Sequence, residues 1–218
     1  TGDESIFDKE WITAMKLVLK TFKEQQRKDG KTPYTFMRTT SWASDGVVLS
    51  GHGNPINPVG LIVSIFRPSD DSTILPFLIP SNYFTVKSLR QLTEILKTVC
   101  KENIFANECT LLADEVEYAL QKFSTDNHLS FGKIFAYEDD GYGNKLFMDD
   151  ANVPSLLSLP YLNAVDVNDE TYQRTRKFLL SESNPYYFEG AAGKGIGSPH
   201  AGLGMIWPLS IIMRGLTS

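Results

Sequence analysis

Apolar residues recur at helical spacing in separate stretches of this chain, and long irregular segments lie between them. Trp11, Ile12, Met15, Leu19 and Phe22 fall on one face of a helix. Ser5-Ile6-Phe7-Asp8 precedes them in the form of an N-cap with an acid three residues on, and the helix is expected to end near Gly30. Ser81 is placed to cap a second helix, with Val86, Leu89, Leu92, Leu96 and Val99 as its apolar stripe and Arg90, Glu94 and Lys97 on its polar face. A third helix is predicted over roughly 107–123, its stripe made by Leu112, Val116, Ala119, Leu120 and Phe123. Two more are predicted, over 169–180 and from Trp207-Pro208 through Met213 to the end of the chain, and a short one near Pro154.

From Lys31 to Pro80 the pattern breaks, with Pro33, Gly46, Gly51, Gly53, Pro55, Pro58 and Gly60 interrupting any long element. Loops of that length in a compact domain usually carry function, and the apolar and aromatic content here speaks against disorder. Phe131 to Tyr137 reads as a short extended segment, and Glu138-Asp139-Asp140-Gly141-Tyr142-Gly143-Asn144 as a solvated acidic turn without the ligand spacing of a calcium loop. The fold class these patterns predict is all-α: paired antiparallel helices in a single domain over 1–218, with long loops forming a site at one end.

Composition narrows the partners. With 218 residues, 42% of them hydrophobic, the chain can build one ordinary core. A net charge of −5 and the lack of a gathered basic face argue against nucleic acid as a partner and for a neutral or cationic substrate. No run is long enough for a membrane span, so no membrane partner is expected. Cys100 and Cys109 permit a disulfide without requiring one. Gly193-Lys194-Gly195-Ile196-Gly197 is not a phosphate loop, because Gly195 stands where Ser or Thr should follow the lysine and no strand is predicted before it.

The candidate chemistry centres on Phe66-Arg67-Pro68-Ser69-Asp70-Asp71, an adjacent carboxylate pair beside an arginine and between two apolar runs. A part-buried pair of this kind can keep a proton on one member while the other stays ionised, which is general-acid chemistry. A solvated turn also accounts for the Asp-Asp pair, and a helix cap for Ser69 or Asp70. A second pair, Asp149-Asp150, precedes Asn152 and Pro154 and is read as ordering sugar or water, with capping as the plainer role. Trp42, Tyr142, Tyr186 and Trp207 are suited to stacking on a sugar ring, and Arg38, Arg67, Asn152 and Glu189 to binding its hydroxyls. His52, His128 and His200 show no metal-ligand spacing, so neither a metal nor a cofactor is expected; His200 is read as a sugar-hydroxyl ligand or a structural histidine.

The segments 1–8, Phe66 to Asp71, Met148-Asp149-Asp150-Ala151-Asn152-Val153-Pro154-Ser155-Leu156, and Gly195 through His200 to Ile206-Trp207-Pro208 occur in an order that resembles glycoside hydrolase family 125, the metal-independent exo-α-1,6-mannosidases. The resemblance spans essentially the whole chain. It implies an (α/α)6 barrel and an inverting release of terminal α-1,6-linked mannose from mannan or N-glycan-like oligosaccharides, with one of Asp70 and Asp71 as the acid. The family's base is a glutamate in a His-Glu-Ser stretch downstream of the segment that here ends at Ser218, and Glu189 does not match it. The chain is therefore expected to be the central part of the family's fold, and an open toroid edge would favour a homo-oligomer or pairing with the remaining barrel segments. The competing readings are an α/α-barrel glycosidase of other specificity, a non-catalytic glycan-binding module, and a ligand-free helical scaffold in which Arg67, Asp70 and Asp150 tolerate alanine.

Overall fold

The computed structural model describes residues 2–30 and 32–218. Its helices are α1 (Lys9–Gln25), a single turn α2 (Val48–Gly51), α3 (Ile79–Ile95), α4 (Asn103–Phe123), α5 (Glu170–Leu179) and α6 (Pro208–Leu216), with a 3-10 turn at Ala43–Asp45. Asp8 rather than Ser5 caps α1, its Oδ1 accepting from the Trp11 N–H at 2.8 Å, and the helix closes at Gln26 instead of continuing to Gly30. The α3 helix begins two residues before Ser81, with Pro80 in its first turn, where a missing N–H costs nothing. It runs into a π-helical turn, Leu96–Cys100, closed by Lys101 in the left-handed region (φ 59°), and the chain reverses into α4. The apolar stripe of α4 meets Leu19 of α1, Leu89 and Leu96 of the α3 hairpin arm, and the run Leu61–Val63 in one core.

The all-α expectation is corrected by three small antiparallel sheets. Strands β1 (Phe77–Leu78), β4 (Glu138–Asp139) and β5 (Lys145–Leu146) form one, β2 (Thr125–His128) pairs with β3 (Gly132–Phe135), and β6 (Tyr187–Gly190) pairs with β7 (Gly193–Ile196). The strands are two to four residues long, too short for an alternating pattern to stand out in sequence. With α5, α6 and the 146–159 segment they enclose a second core containing Tyr137, Met148, Leu156, Tyr172, Phe178 and Ile196. Asp169 caps α5, and Thr175 on that helix accepts from the Phe135 N–H at 2.9 Å, which fastens α5 to β3.

Three further expectations change. The acidic turn is not solvated: Glu138, Asp139 and Asp140 are buried, and the Asp140 carboxylate accepts from Tyr142, from the Asn144 backbone and from the Asn144 side chain. The glycine-rich run is preceded by a strand and is itself largely β7. No helix starts near Pro154, where the chain makes a series of turns. Cys100 and Cys109 are both free. Among the described residues, no helix is long and apolar enough to cross a membrane.

Candidate active site

Three segments converge on the Arg67–Asp71 turn. Phe66 and Ser72 bridge antiparallel across its base, and the Arg67 N–H donates to the Asp71 carbonyl at 2.7 Å. Ser72 donates to the Ser44 carbonyl, which brings up the 3-10 turn carrying Asp45. The Asn152 amide reaches the Pro68 carbonyl at 3.4 Å, and Ala151 donates to the Gly197 carbonyl at 3.2 Å, joining the 149–152 and 197–200 segments to the same place. Gly197 is required there by packing, since a Cβ would stand 2.1 Å from the Met205 carbonyl oxygen.

The turn separates the two aspartates. Asp70 takes a left-handed conformation (φ 71°), which an Asp tolerates better than most residues, and its side chain is exposed. Asp71 points inward and is 1% exposed. Its Oδ2 lies 3.5 Å from the Ser69 hydroxyl, whereas its Oδ1 has no hydrogen-bond partner and stands 3.7 Å from His200 Nδ1, too far for a hydrogen bond. Ser69 donates a short hydrogen bond to Oδ2 of Asp150, itself fully buried.

Beneath this pair lies a buried ion pair. Arg67 Nε donates to Glu138 Oε1 at 2.6 Å, and Glu138 Oε2 accepts from the backbone of Ile74 and Leu75, each at 3.0 Å. The guanidinium sits 5.5 Å from the centre of the Tyr137 ring. Burial alone would lower the Arg67 pKa, but Glu138, with Tyr137 and Asp150 adding to it, reverses this and holds it above its ordinary value. Burial likewise pushes the Tyr137 phenol well above its ordinary value, with Asp150 and Asp149 adding to the effect. Arg67 Nη2 and the Tyr137 hydroxyl, like Asp71 Oδ1, are buried without a partner. Three neighbouring polar atoms left in that state are unusual in a folded protein and mark a place built for something other than stability.

Burial pushes the Asp150 carboxyl up to about 6, against the opposing effects of the Ser69 bond, the Asn152 N–H and the Arg67 charge; Asp71 raises it further. Asp149 is pushed up to about 8, again by burial, even though the Leu156 and Leu157 N–H groups donate to its two oxygens at 2.9 and 3.0 Å. Asp149 thus braces the chain from inside and does not line an open surface. Its raised folded value has a consequence for stability. Below about pH 4 both states are protonated. As pH rises toward about 8 the unfolded chain ionises and the folded one does not, so stability falls. Urea denaturation across this range should show the decline, at most about 1.4 kcal/mol per pH unit per group. Asp149→Asn should confine the decline to the region below about pH 6, where Asp150 remains as its cause.

The remaining expected residues are distributed as follows. Arg38 Nη2 pairs with Asp45 Oδ2 at 3.2 Å, and Trp42, in the same segment, is 69% exposed. Asn152 lies against Asp150 and Pro68. Glu189 sits exposed on the β6–β7 hairpin, 3.8 Å from Lys194, with no bond to the aspartate cluster among the described residues. Asp45, Ser69, Tyr137 and Glu138 were not expected from sequence; a buried arginine demands a carboxylate, and that signal could have pointed to Glu138. One atom each of Asp45, Asp71 and His200 lie within 4.8 Å of one another, but Arg38 already supplies positive charge to Asp45, so the trio is not read as a set of cation ligands.

Residues 1–218 match the family described as metal-independent alpha-mannosidase (GH125), and the chain belongs to that family. The meiotically up-regulated gene 157 protein of Schizosaccharomyces pombe is 43% identical over 228 residues, covering all of this chain and 45% of that protein. A solved chain from Streptococcus pneumoniae superimposes with a TM-score of 0.96 at 38% identity, covering all of this chain and 51% of that one; it is described as a metal-independent alpha mannosidase in a non-productive complex with α-1,6-mannobiose. The chain thus spans about half the length of the relatives it matches.

Proposed function

We propose that this chain forms the acid-bearing part of an inverting exo-α-1,6-mannosidase that releases terminal mannose from mannan or N-glycan-like oligosaccharides. Its helical hairpins would be segments of an (α/α)6 toroid, folded as one domain. The observation that carries the reading is the buried, unpartnered Oδ1 of Asp71. Family membership and the α-1,6-mannobiose bound by the Streptococcus relative support mannose as the sugar.

In this mechanism Asp71 is the general acid. Its Oδ2 is held toward Ser69, and the proton leaves from Oδ1 to the glycosidic oxygen as the bond to the anomeric carbon breaks. Positive charge building on the ring is matched by the surrounding carboxylates, while Arg67, neutralised by Glu138, fixes the turn. His200, Asn152 and Arg38 are assigned to the sugar side of the cluster, Arg67, Asp149 and Asp150 to its support, and Trp42 to ring stacking. An inverting base must be a second carboxylate about 6.5–9.5 Å from the acid. Asp150 is tied to Ser69 and Asp45 to Arg38 and Thr40, so neither is assigned that role.

Because Asp150 and Asp45 are both engaged by neighbouring side chains, a second reading is a glycan-binding unit that holds mannose without releasing it. Incubation with α-1,6-, α-1,2- and α-1,3-linked mannobiose separates the two. Mannose release from the α-1,6 isomer above the others supports the mannosidase; saturable binding of mannobiose with no release supports the binding unit; neither binding nor release contradicts both.

A further inference from the structure

Asp150 does more in this arrangement than fill a cavity. Its Oδ2 and the Oδ2 of Asp71 both face the single hydroxyl of Ser69, one in a short hydrogen bond and the other at 3.5 Å. Both carboxyls are shielded from water, at 0% and 1% exposure, so neither charge is relieved by solvent. Arg67 is the buried cation beside them, and its charge is already engaged by Glu138. Three buried carboxyls against one guanidinium leave an excess of negative charge, and a protein relieves such an excess by retaining a proton.

We propose that Asp150 is a positioning residue for Asp71, the two carboxyls holding one proton between them across the Ser69 hydroxyl. Ser69 keeps a proton of its own throughout. When the shared proton is on Asp71, Ser69 donates to the Asp150 carboxylate. When it is on Asp150, that carboxyl donates to Ser69 Oγ and Ser69 donates to Asp71 Oδ2. One proton changes place and none is created: on Asp71 it sits on Oδ2, toward Ser69, when it exchanges with Asp150, and on Oδ1, which has no hydrogen-bond partner, when it is offered to substrate. The functional consequence rests on Asp71 being the acid; the proton sharing does not.

Several other groups face the pair. They are Arg67 and Asp149 from the same two loops, Glu138 and Tyr137 at β4, Tyr186 before β6, His200 after β7, and Asp45 with its partner Arg38. Their charges act on both carboxyls together, whereas the Ser69 bridge couples the two to each other. Coupled groups titrate as a pair, with each step visible at both sites.

The test is a carbon-13 NMR titration of this chain labelled at its aspartate carboxyl carbons, assigned with the variants themselves and requiring no mannoside. In the parent the Asp150 carbon should titrate near 6. Asp71→Asn removes the neighbouring charge and should lower that midpoint by about one unit or more. Ser69→Ala removes the donor that stabilises the Asp150 carboxylate and should raise it, while Ser69→Thr, which keeps the hydroxyl, should restore it. An Asp150 that merely braces the fold as a fixed carboxylate would be flat from pH 4 to 8, and either that result or a midpoint unmoved by Asp71→Asn overturns the proposal. If Asp71→Asn does not fold, the Ser69 pair decides: equal midpoints in Ala and Thr variants overturn it. Loss of mannose release in a separate assay bears on the mannosidase reading alone.

Discussion

Asp71→Asn should lower mannose release from α-1,6-mannobiose by about 10²–10⁴-fold, the usual contribution of a positioned acid, while Asp70→Asn leaves it nearly unchanged. The two aspartates are chemically identical neighbours, so the contrast isolates position. Asp70 is exposed in a left-handed turn conformation; Asp71 is buried, with one oxygen toward Ser69 and the other without a hydrogen-bond partner. An amide at 71 preserves shape and much of the hydrogen bonding but has no proton to give. The fall should therefore appear in kcat, with KM little altered, and circular dichroism should show that the fold is retained. Equal losses for both variants, or a larger one for Asp70, would move the acid to the exposed residue.

The second large effect is on stability. Arg67→Met should destabilise the chain by about 3–5 kcal/mol, because it strands the Glu138 carboxylate at 0% exposure with two backbone N–H donors and no counter-charge. Arg67→Lys should recover only part of this, since a point charge on a flexible stem does not reproduce the guanidinium's directed N–H or its place over Tyr137. The double change Arg67→Met with Glu138→Leu should come back toward the parent, as buried pairs replaced whole by apolar groups often do. Urea denaturation of the four proteins measures this. A loss below about 1 kcal/mol for Arg67→Met would mean that the pair behaves as an exposed one.

The helices were legible because their stripes are long. Val116, Ala119 and Leu120 mark a buried face of α4, and all are at or below 2% exposure. The sheets were not, because a strand of two residues such as Phe77–Leu78 carries no period at all, and its pairing with Glu138–Asp139 is a property of the fold. The same pairing explains the misread acidic turn: each acid there is satisfied by a partner distant in sequence or across its own turn. Glu138 takes Arg67, Asp139 takes Lys145, and the Asp140 carboxylate takes Tyr142 and Asn144 across its own turn. Nothing local to Glu138-Asp139-Asp140 announces those partners.

The site was half visible. The turn Arg67–Asp71 stood out because charge between apolar runs has few folding reasons, and the Asp149-Asp150 pair for the same reason. Which of Asp70 and Asp71 faces inward depends on one backbone angle, and sequence does not carry it. Ser69 was read as no more than a candidate helix cap, although its hydroxyl is what connects the two aspartate pairs. Asp45 sits in a glycine-punctuated segment, and it is the fold, through the Ser72 to Ser44 hydrogen bond, that brings this segment back onto the turn.

The most direct test of the central claim is proton NMR of α-1,6-mannobiose incubated with the protein, following the anomeric signal of the first mannose released. An inverting acid and base acting on an α-linkage should produce β-mannose first, with the α-anomer growing in later by mutarotation. Release of α-mannose first would contradict the inverting mechanism, and no release under conditions where mannobiose binds would leave the site a mannose-binding one.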